Sequence, residues 1–411
     1  MTSRIALIAV LLPTYLVRFE LFGIPSTLLE VLIYLTVVVG VWQFAHDRAV
    51  RSRLWSRRVW LWPAGLILLG AAAGIVIADD SRTALGLWKG FIVDPILVYL
   101  LLLAFVRTVL DLRTILWGLL AGGLVVALWA LVESITPGAS RTIGPYDLDP
   151  DASPNYLAFA LAPLVPLTSW LVKSQIANRK SQIISHIGSW IVPGLLLAAI
   201  AVSGSRAGLV AAVGGGILAL VLGAEWFWRL KGAKTVLVVG LLLAAIGSWW
   251  VVKPDFSLSD DGSRTVTSTN VRWQLWAVTG ELVRLNPVLG TGLGGFQTAF
   301  GELTADRVNF PEFITPRART PHNLVVGVWV ELGLVGLLGL IGSLVLAGKR
   351  LFALLRQGSG GPAAAALIGA WFVLLTHGLV DQPIWKNDGM VVFWILVASA
   401  AVLAGPRGGA R

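Results

Sequence analysis

Runs of about 20 apolar residues, joined by short connections, recur along almost this whole chain and restrict the environments in which it can fold. Twelve such runs fall near residues 4–22, 25–45, 59–78, 86–106, 114–134, 153–172, 187–203, 206–224, 235–252, 322–347, 361–378 and 388–404. In hydrocarbon, every backbone N–H and C=O must find its partner within the segment, which leaves the α-helix as the spanning structure for such runs. The predicted fold class is therefore all-α: a polytopic membrane protein with about twelve transmembrane helices. Composition agrees, because only 13% of the 411 residues are charged, against about a quarter in soluble domains. The first run reads as a span rather than a cleaved signal, since no small-residue cleavage site follows it. The seventh and eighth are separated only by Ser203-Gly204-Ser205. There is no cysteine, so disulfides and thiol chemistry are excluded.

Charge predicts the orientation. Segments 46–58, 107–113, 173–186, 225–234 and 348–359, together with both termini, hold 19 of the 32 Lys and Arg residues. They hold only three acids, Asp47, Asp111 and Glu225. By the positive-inside rule these segments are cytoplasmic, so both termini lie inside and the number of spans is even. The net charge of +10 is mostly this topological signal. Basic residues scattered among short loops form no nucleic-acid surface, and nucleic acid is not an expected partner.

The cytoplasmic loops carry no glycine-rich phosphate loop and no nucleotide fingerprint, so neither ATP nor a sugar nucleotide is an expected substrate. Outside, the segment 253–321 is far longer than any other connection within what reads as one integral membrane domain, 1–411. Loops of that length tend to carry function. Within it, Asn270 to Asn286 has helical character, with Trp273 and Trp276 favouring a position at the membrane interface. Gly290, Gly292, Gly294 and Gly295 follow and predict a tight turn back towards the membrane.

The stretch TPHNLVVGVWVELGLVGLLG, from Thr320 to Gly339, concentrates the chemistry. Thr320 predicts a helix N-cap and Pro321 its first position, which sets His322 and Asn323 among unpaired backbone N–H groups at the positive end of the helix dipole. That end attracts anions and disfavours imidazolium, so His322 is a candidate general base beside an anion site. Arginine offers a fixed fork of donors suited to phosphate. Arg141, Arg206 in the SGSRAG turn and Arg272 on the interfacial helix are candidates for a pyrophosphate cradle, with Lys89 near the outer end of the fourth span. Arg264, Arg284, Arg307, Arg317 and Arg319 are further basic residues of the long loop. Asn323, Glu331 and Asp381 are candidate supporting residues. Glu331 lies nine residues beyond His322, about 13.5 Å along a helix and half a turn round, so it is not a local partner; capping a broken backbone or pairing with another span are its alternatives. Glycines 333, 336, 339 and 342 form a stripe that lets another helix approach closely. No outer cluster of metal ligands is evident, and neither metal nor cofactor is expected.

The segments PHNLVVGVWVELGLVG, SGSRAG, NPVLGTGLGGF and SPNYLAFALAPLVPL resemble the O-antigen ligase and O-antigen polymerase superfamily, membrane glycosyltransferases of the bacterial envelope. The resemblance covers roughly residues 140–381 by motif, and the twelve-span layout with one long outer loop matches over the whole length. It implies an inner-membrane protein with its site facing the periplasm. It further implies a glycan donor on undecaprenyl pyrophosphate and metal-independent transfer that inverts the anomeric centre. The family's essential histidine corresponds to His322, its Ser-Arg-x-Gly arginine to Arg206 and its outer-helix arginine to Arg272; Arg141 and Lys89 resemble further basic positions. The acceptor stays open between lipid A–core, a second lipid-linked glycan and a protein hydroxyl. Outside the superfamily, a transporter or flippase of lipid-linked sugars is the alternative, but it calls for polar residues near the bilayer midplane and internal repeats.

Overall fold

A computed structural model describes residues 1–137, 141–149, 153–176, 182–224, 227, 232, 268–306, 319–357 and 361–403. The described residues are mostly helical. In order they form α1 (Thr2–Val10), a two-stranded hairpin of β1 (Arg18–Leu21) and β2 (Ile24–Thr27), α2 (Leu28–His46), α3 (Arg48–Ser56), α4 (Trp62–Ile77), α5 (Ser81–Leu87), α6 (Asp94–Phe105) and α7 (Val109–Ser134). There follow α8 (Pro154–Leu161), α9 (Leu164–Ile176), α10 (Gln182–Val202), α11 (Arg206–Leu222), α12 (Ser268–Leu285), α13 (Phe296–Thr304), α14 (Leu324–Arg356), α15 (Gly361–Gly378) and α16 (Asn387–Val402). A π-helical segment, Trp88–Val93, joins α5 to α6. Among the described residues, six helices are long and apolar enough to cross a membrane: Leu28–His46, Arg58–Ile77, Ser81–Phe105, Val109–Ser134, Leu324–Arg356 and Gly361–Gly378. The ninth expected span, 235–252, lies outside the described residues.

Two expected spans differ in form. The run 4–22 is not one helix, because α1 is only nine residues long and Pro13 leads a 3₁₀ turn at Leu12–Leu16 instead. Its end enters the hairpin, where Leu21 pairs with Ile24 around a turn with positive φ at both Phe22 (52°) and Gly23 (75°). That two-residue geometry matches the twist of the strands, and it demands left-handed backbone from a phenylalanine. The sixth run is divided into α8 and α9 just before Leu164.

At one end of the bundle, basic side chains close helix C-termini. Arg53 donates to Ala104 O, Arg57 to Leu103 O and Val106 O, and Arg350 to Leu403 O. These carbonyls lack partners within their own helices, and cations there complement the helix dipole. The contact-rich opposite end brings together the starts of α8, α11, α14 and α16 with the end of α15, and the candidate site lies there.

The glycine run after α12 forms a turn that docks into α14. Gly290, Gly292 and Gly294 all have positive φ, and a Cβ on Gly290 would lie 2.2 Å from Val330 O. α14 is broken where Gly333 takes φ 64° and ψ −172°. The break frees backbone groups that the turn uses: Thr291 N donates to Val330 O at 2.7 Å and Leu334 N to Val288 O at 2.8 Å. The Glu331 carboxylate accepts from Gly294 N. This contact is the one a capping role at the broken backbone calls for. The glycine stripe does pack a helix: Cβ atoms on Gly339 and Gly342 would meet Pro63 O at 2.7 Å and the Trp62 ring at 2.0 Å, both at the start of α4.

Gly333 occupies a region open essentially to glycine alone. A Cβ there would also lie 2.3 Å from Val288 O. Gly333→Ala is expected to destabilise the protein by at least about 2 kcal/mol. Gly348→Ala, on the same helix with nothing within 4 Å of the added atom, is expected to be neutral or mildly stabilising. Unfolding midpoints in detergent check the pair; equal midpoints would remove the role assigned to the break.

Candidate active site

The site begins with how His322 is held. α14 starts three residues later than the sequence suggests: Asn323 is the N-cap, and its side chain accepts from Val326 N at 3.1 Å. Thr320 is therefore not the cap, and Pro321 precedes the helix. The reason is local competition, since an Asn at this position satisfies an orphan helix N–H directly. His322 is left just outside the helix in left-handed backbone, φ 47°, a conformation that histidine tolerates better than most residues. Two neighbours fix the approach: Trp276 Nε1 on α12 donates to Pro321 O at 3.0 Å, and Asn323 Nδ2 donates to Leu379 O at 3.0 Å. The interfacial helix is in turn anchored by Leu275, Val278 and Leu282, packed with Phe296, Phe300 and Val330.

The partner of His322 comes from the connection between α15 and α16. His322 Nδ1 donates to Asp381 Oδ1 at 2.8 Å. Asp381 is almost fully buried and also accepts from Asn155 Nδ2 at 3.0 Å and Gln382 N at 3.0 Å. Arg272 Nη2 lies 3.8 Å from its other oxygen. Burial alone would raise the Asp381 carboxyl, but His322, His377 and Arg272 favour its charged form and bring it down to about 2. An ionised carboxylate can only accept, so in the neutral form of the ring the hydrogen is on Nδ1 and the lone pair on Nε2. Among the described residues Nε2 has no partner, and the side chain is 32% exposed. The ring therefore offers a proton acceptor to the surface, held in one tautomer from behind.

The basic candidates divide. Arg272 belongs to the group: its Nε donates to Val380 O at 2.7 Å while Nη2 faces Asp381. Arg206 is the first residue of α11 and exposed, and two residues on a Cβ at Gly208 would lie 3.1 Å from His377 Cε1. Arg141 Nε donates to Ser203 O at 2.8 Å, beside that same turn. Lys89 is engaged elsewhere, with Pro25 O and at 2.9 Å with Glu30, neither of them a residue of the His322 group. Arg284 and Arg319 are exposed, and Arg264, Arg307 and Arg317 lie outside the described residues. Asp381, ranked by sequence only as a supporting residue, proves to be the direct partner of His322. Asn155 enters the group unforeseen; its only signal was its place at a span entrance behind Ser153, the α8 N-cap.

Asp381→Asn tests the orienting role. An amide can donate as well as accept, so it no longer fixes the proton on Nδ1. Turnover is expected to fall by about tenfold or more in folded protein. An unchanged turnover would make the pair a structural contact only.

Comparison with known proteins bears on one part of the chain. Residues 192–341 match the O-antigen ligase family, a segment that contains Arg206, Arg272, His322 and Glu331 but neither Lys89, Arg141 nor Asp381. No curated protein matches the chain. With its apolar helices the chain is a multi-pass membrane protein, and its segment 192–341 is similar to the O-antigen ligase family.

Proposed function

We propose that this protein transfers a glycan from undecaprenyl pyrophosphate to an acceptor hydroxyl, as an O-antigen ligase with lipid A–core as acceptor. The observation that carries the reading is the 2.8 Å hydrogen bond from His322 Nδ1 to Asp381, with Nε2 left open at the surface. In this reading Nε2 accepts the proton of the incoming sugar hydroxyl as its oxygen attacks the anomeric carbon. The C–O bond to the pyrophosphate breaks on the opposite face, and inversion follows. The electron pair leaves on the pyrophosphate oxygen, whose charge Arg272 and Arg206 stabilise, with Arg141 behind Arg206. Pyrophosphate already leaves well, so neither metal nor ATP is called upon. The basic side chains at the other end of the bundle support a cytoplasmic assignment there, and in this reading the His322 end faces the periplasm.

The test is transfer by purified protein with a synthetic undecaprenyl-pyrophosphate oligosaccharide, offered lipid A–core and a second lipid-linked glycan in parallel. Product on lipid A–core is the expected result. Product only on the lipid-linked glycan would make the enzyme a polymerase. No product on either, from folded protein that binds the donor, would overturn the transferase reading in favour of transport.

A further inference from the structure

The hairpin that leads into α2 has two unlike faces. Cross-strand partners share a face and neighbours along a strand alternate, so the pairs Phe19–Ser26 and Leu21–Ile24 lie on one side and Arg18–Thr27 and Glu20–Pro25 on the other. The second side is held to the body of the protein: Arg18 Nη2 lies 3.4 Å from Asp149 Oδ2, and Lys89 donates to Pro25 O. The first side is open. Ile24 is 58% exposed, with Phe19 and Leu21 exposed beside it, and Phe22 at the tip is 96% exposed. That tip residue sits at φ 52°, where asparagine or glycine would turn the chain more easily. A strained turn that displays a phenylalanine calls for an apolar surrounding.

Three observations say what covers this face. α2 follows directly from β2 through its cap Thr27 and is 19 residues long, so its length of about 28.5 Å matches a hydrocarbon core of about 30 Å. Thr27 therefore marks the edge of the hydrocarbon, and the hairpin lies at head-group depth. Leu28, Leu35, Val38 and Trp42 recur at helical spacing along α2 and are all exposed, so the open hairpin residues continue in the chain into a lipid-facing stripe. Finally, Pro25 has no N–H and its carbonyl is taken by Lys89, which leaves β2 a poor edge for a further strand. We propose that Phe19, Leu21, Phe22 and Ile24 insert between the head groups and acyl chains of the leaflet at the His322 end, making the hairpin an anchor in the membrane plane. The occupant of the open face is bilayer phospholipid. The anchor is tied to the candidate site, because Asp149, the partner of Arg18, accepts from Lys386 at 2.8 Å, five residues beyond Asp381.

The chain has no cysteine, so a single nitroxide can be placed at a chosen residue of the full-length protein in vesicles of phosphatidylcholine and phosphatidylglycerol. Leu21→Cys and Ile24→Cys report on the open face, and Glu20→Cys, exposed on the other side, is the control. Collision with oxygen, which concentrates in the bilayer, is compared with collision with a water-soluble nickel chelate. The labels at 21 and 24 are expected to meet oxygen more than nickel, and the label at 20 the reverse. In the Ile24→Cys protein, Phe22→Asn suits the left-handed turn but is polar, and is expected to shift the label towards nickel. Phe22→Leu, which stays apolar, should leave it in lipid. More nickel than oxygen at 21 and 24 would place the face in water and overturn the proposal. Low collision with both reagents, or spin–spin broadening that disappears on dilution with unlabelled protein, would mean that a protein surface or a second copy covers the face, and would overturn it equally. The same ratio at all three positions would contradict the two-faced placement. The readout needs no glycan transfer, so it is decided separately from the proposed activity.

Discussion

Replacing His322 is expected to cost about 10²–10⁴-fold in the rate of glycan transfer, the range for loss of a positioned general base. Two replacements separate chemistry from folding. Alanine removes the imidazole but is poorly suited to the left-handed backbone at this position, φ 47°. Asparagine tolerates that conformation and has no basic nitrogen. The asparagine protein should therefore melt near the wild type and be as inactive as the alanine protein. Donor binding should survive in both, because the proposed contacts to pyrophosphate come from Arg206 and Arg272. Transfer by either variant at near wild-type rates in membranes would end the assignment of His322 as base.

Arg272→Lys is expected to cost about 10²–10³-fold, although the charge is kept. The guanidinium works along two edges, with Nε bonded to Val380 O and Nη2 turned to Asp381. An ammonium is a single point of charge and cannot hold the connection before α16 and address a phosphate oxygen together. The loss should fall on turnover with a pyrophosphate-linked donor, since the charge that needs stabilising grows as the bond breaks. A lysine variant with near wild-type turnover would show that net charge alone matters and that the fork geometry does not.

The spans were legible where apolar runs were uninterrupted, as in α2, α7, α14 and α15. They failed where one residue redirects the backbone: Pro13 ends α1, and Phe22-Gly23 turns the chain into a hairpin that hydropathy reads as more span. Around the site, His322 stood out because its neighbours announced a helix start, and Trp276 sat on a recognisable interfacial helix. Its true relation to that start did not, because Thr320 and Asn323 are both good caps and the sequence pattern does not say which of them serves. Asp381 is 59 residues from His322, and no local pattern signals a contact at that separation. Likewise the glycines of 290–295 announced a turn, but not that it would dock into a break at Gly333. Lys89 was a candidate for the pyrophosphate cradle, whereas in the structure it pairs with Glu30, the capping-box residue of α2, from another helix.

The most direct test of the central claim, that His322 and Asp381 act as one unit in proton transfer, is a double-mutant cycle on transfer rate. His322→Asn, Asp381→Asn and the double variant would be compared with the wild type in the purified assay. If the carboxylate works only through the imidazole, the double variant is expected to be no slower than His322→Asn alone. Losses that multiply would mean that the two residues act independently, and the paired base proposed here would be contradicted.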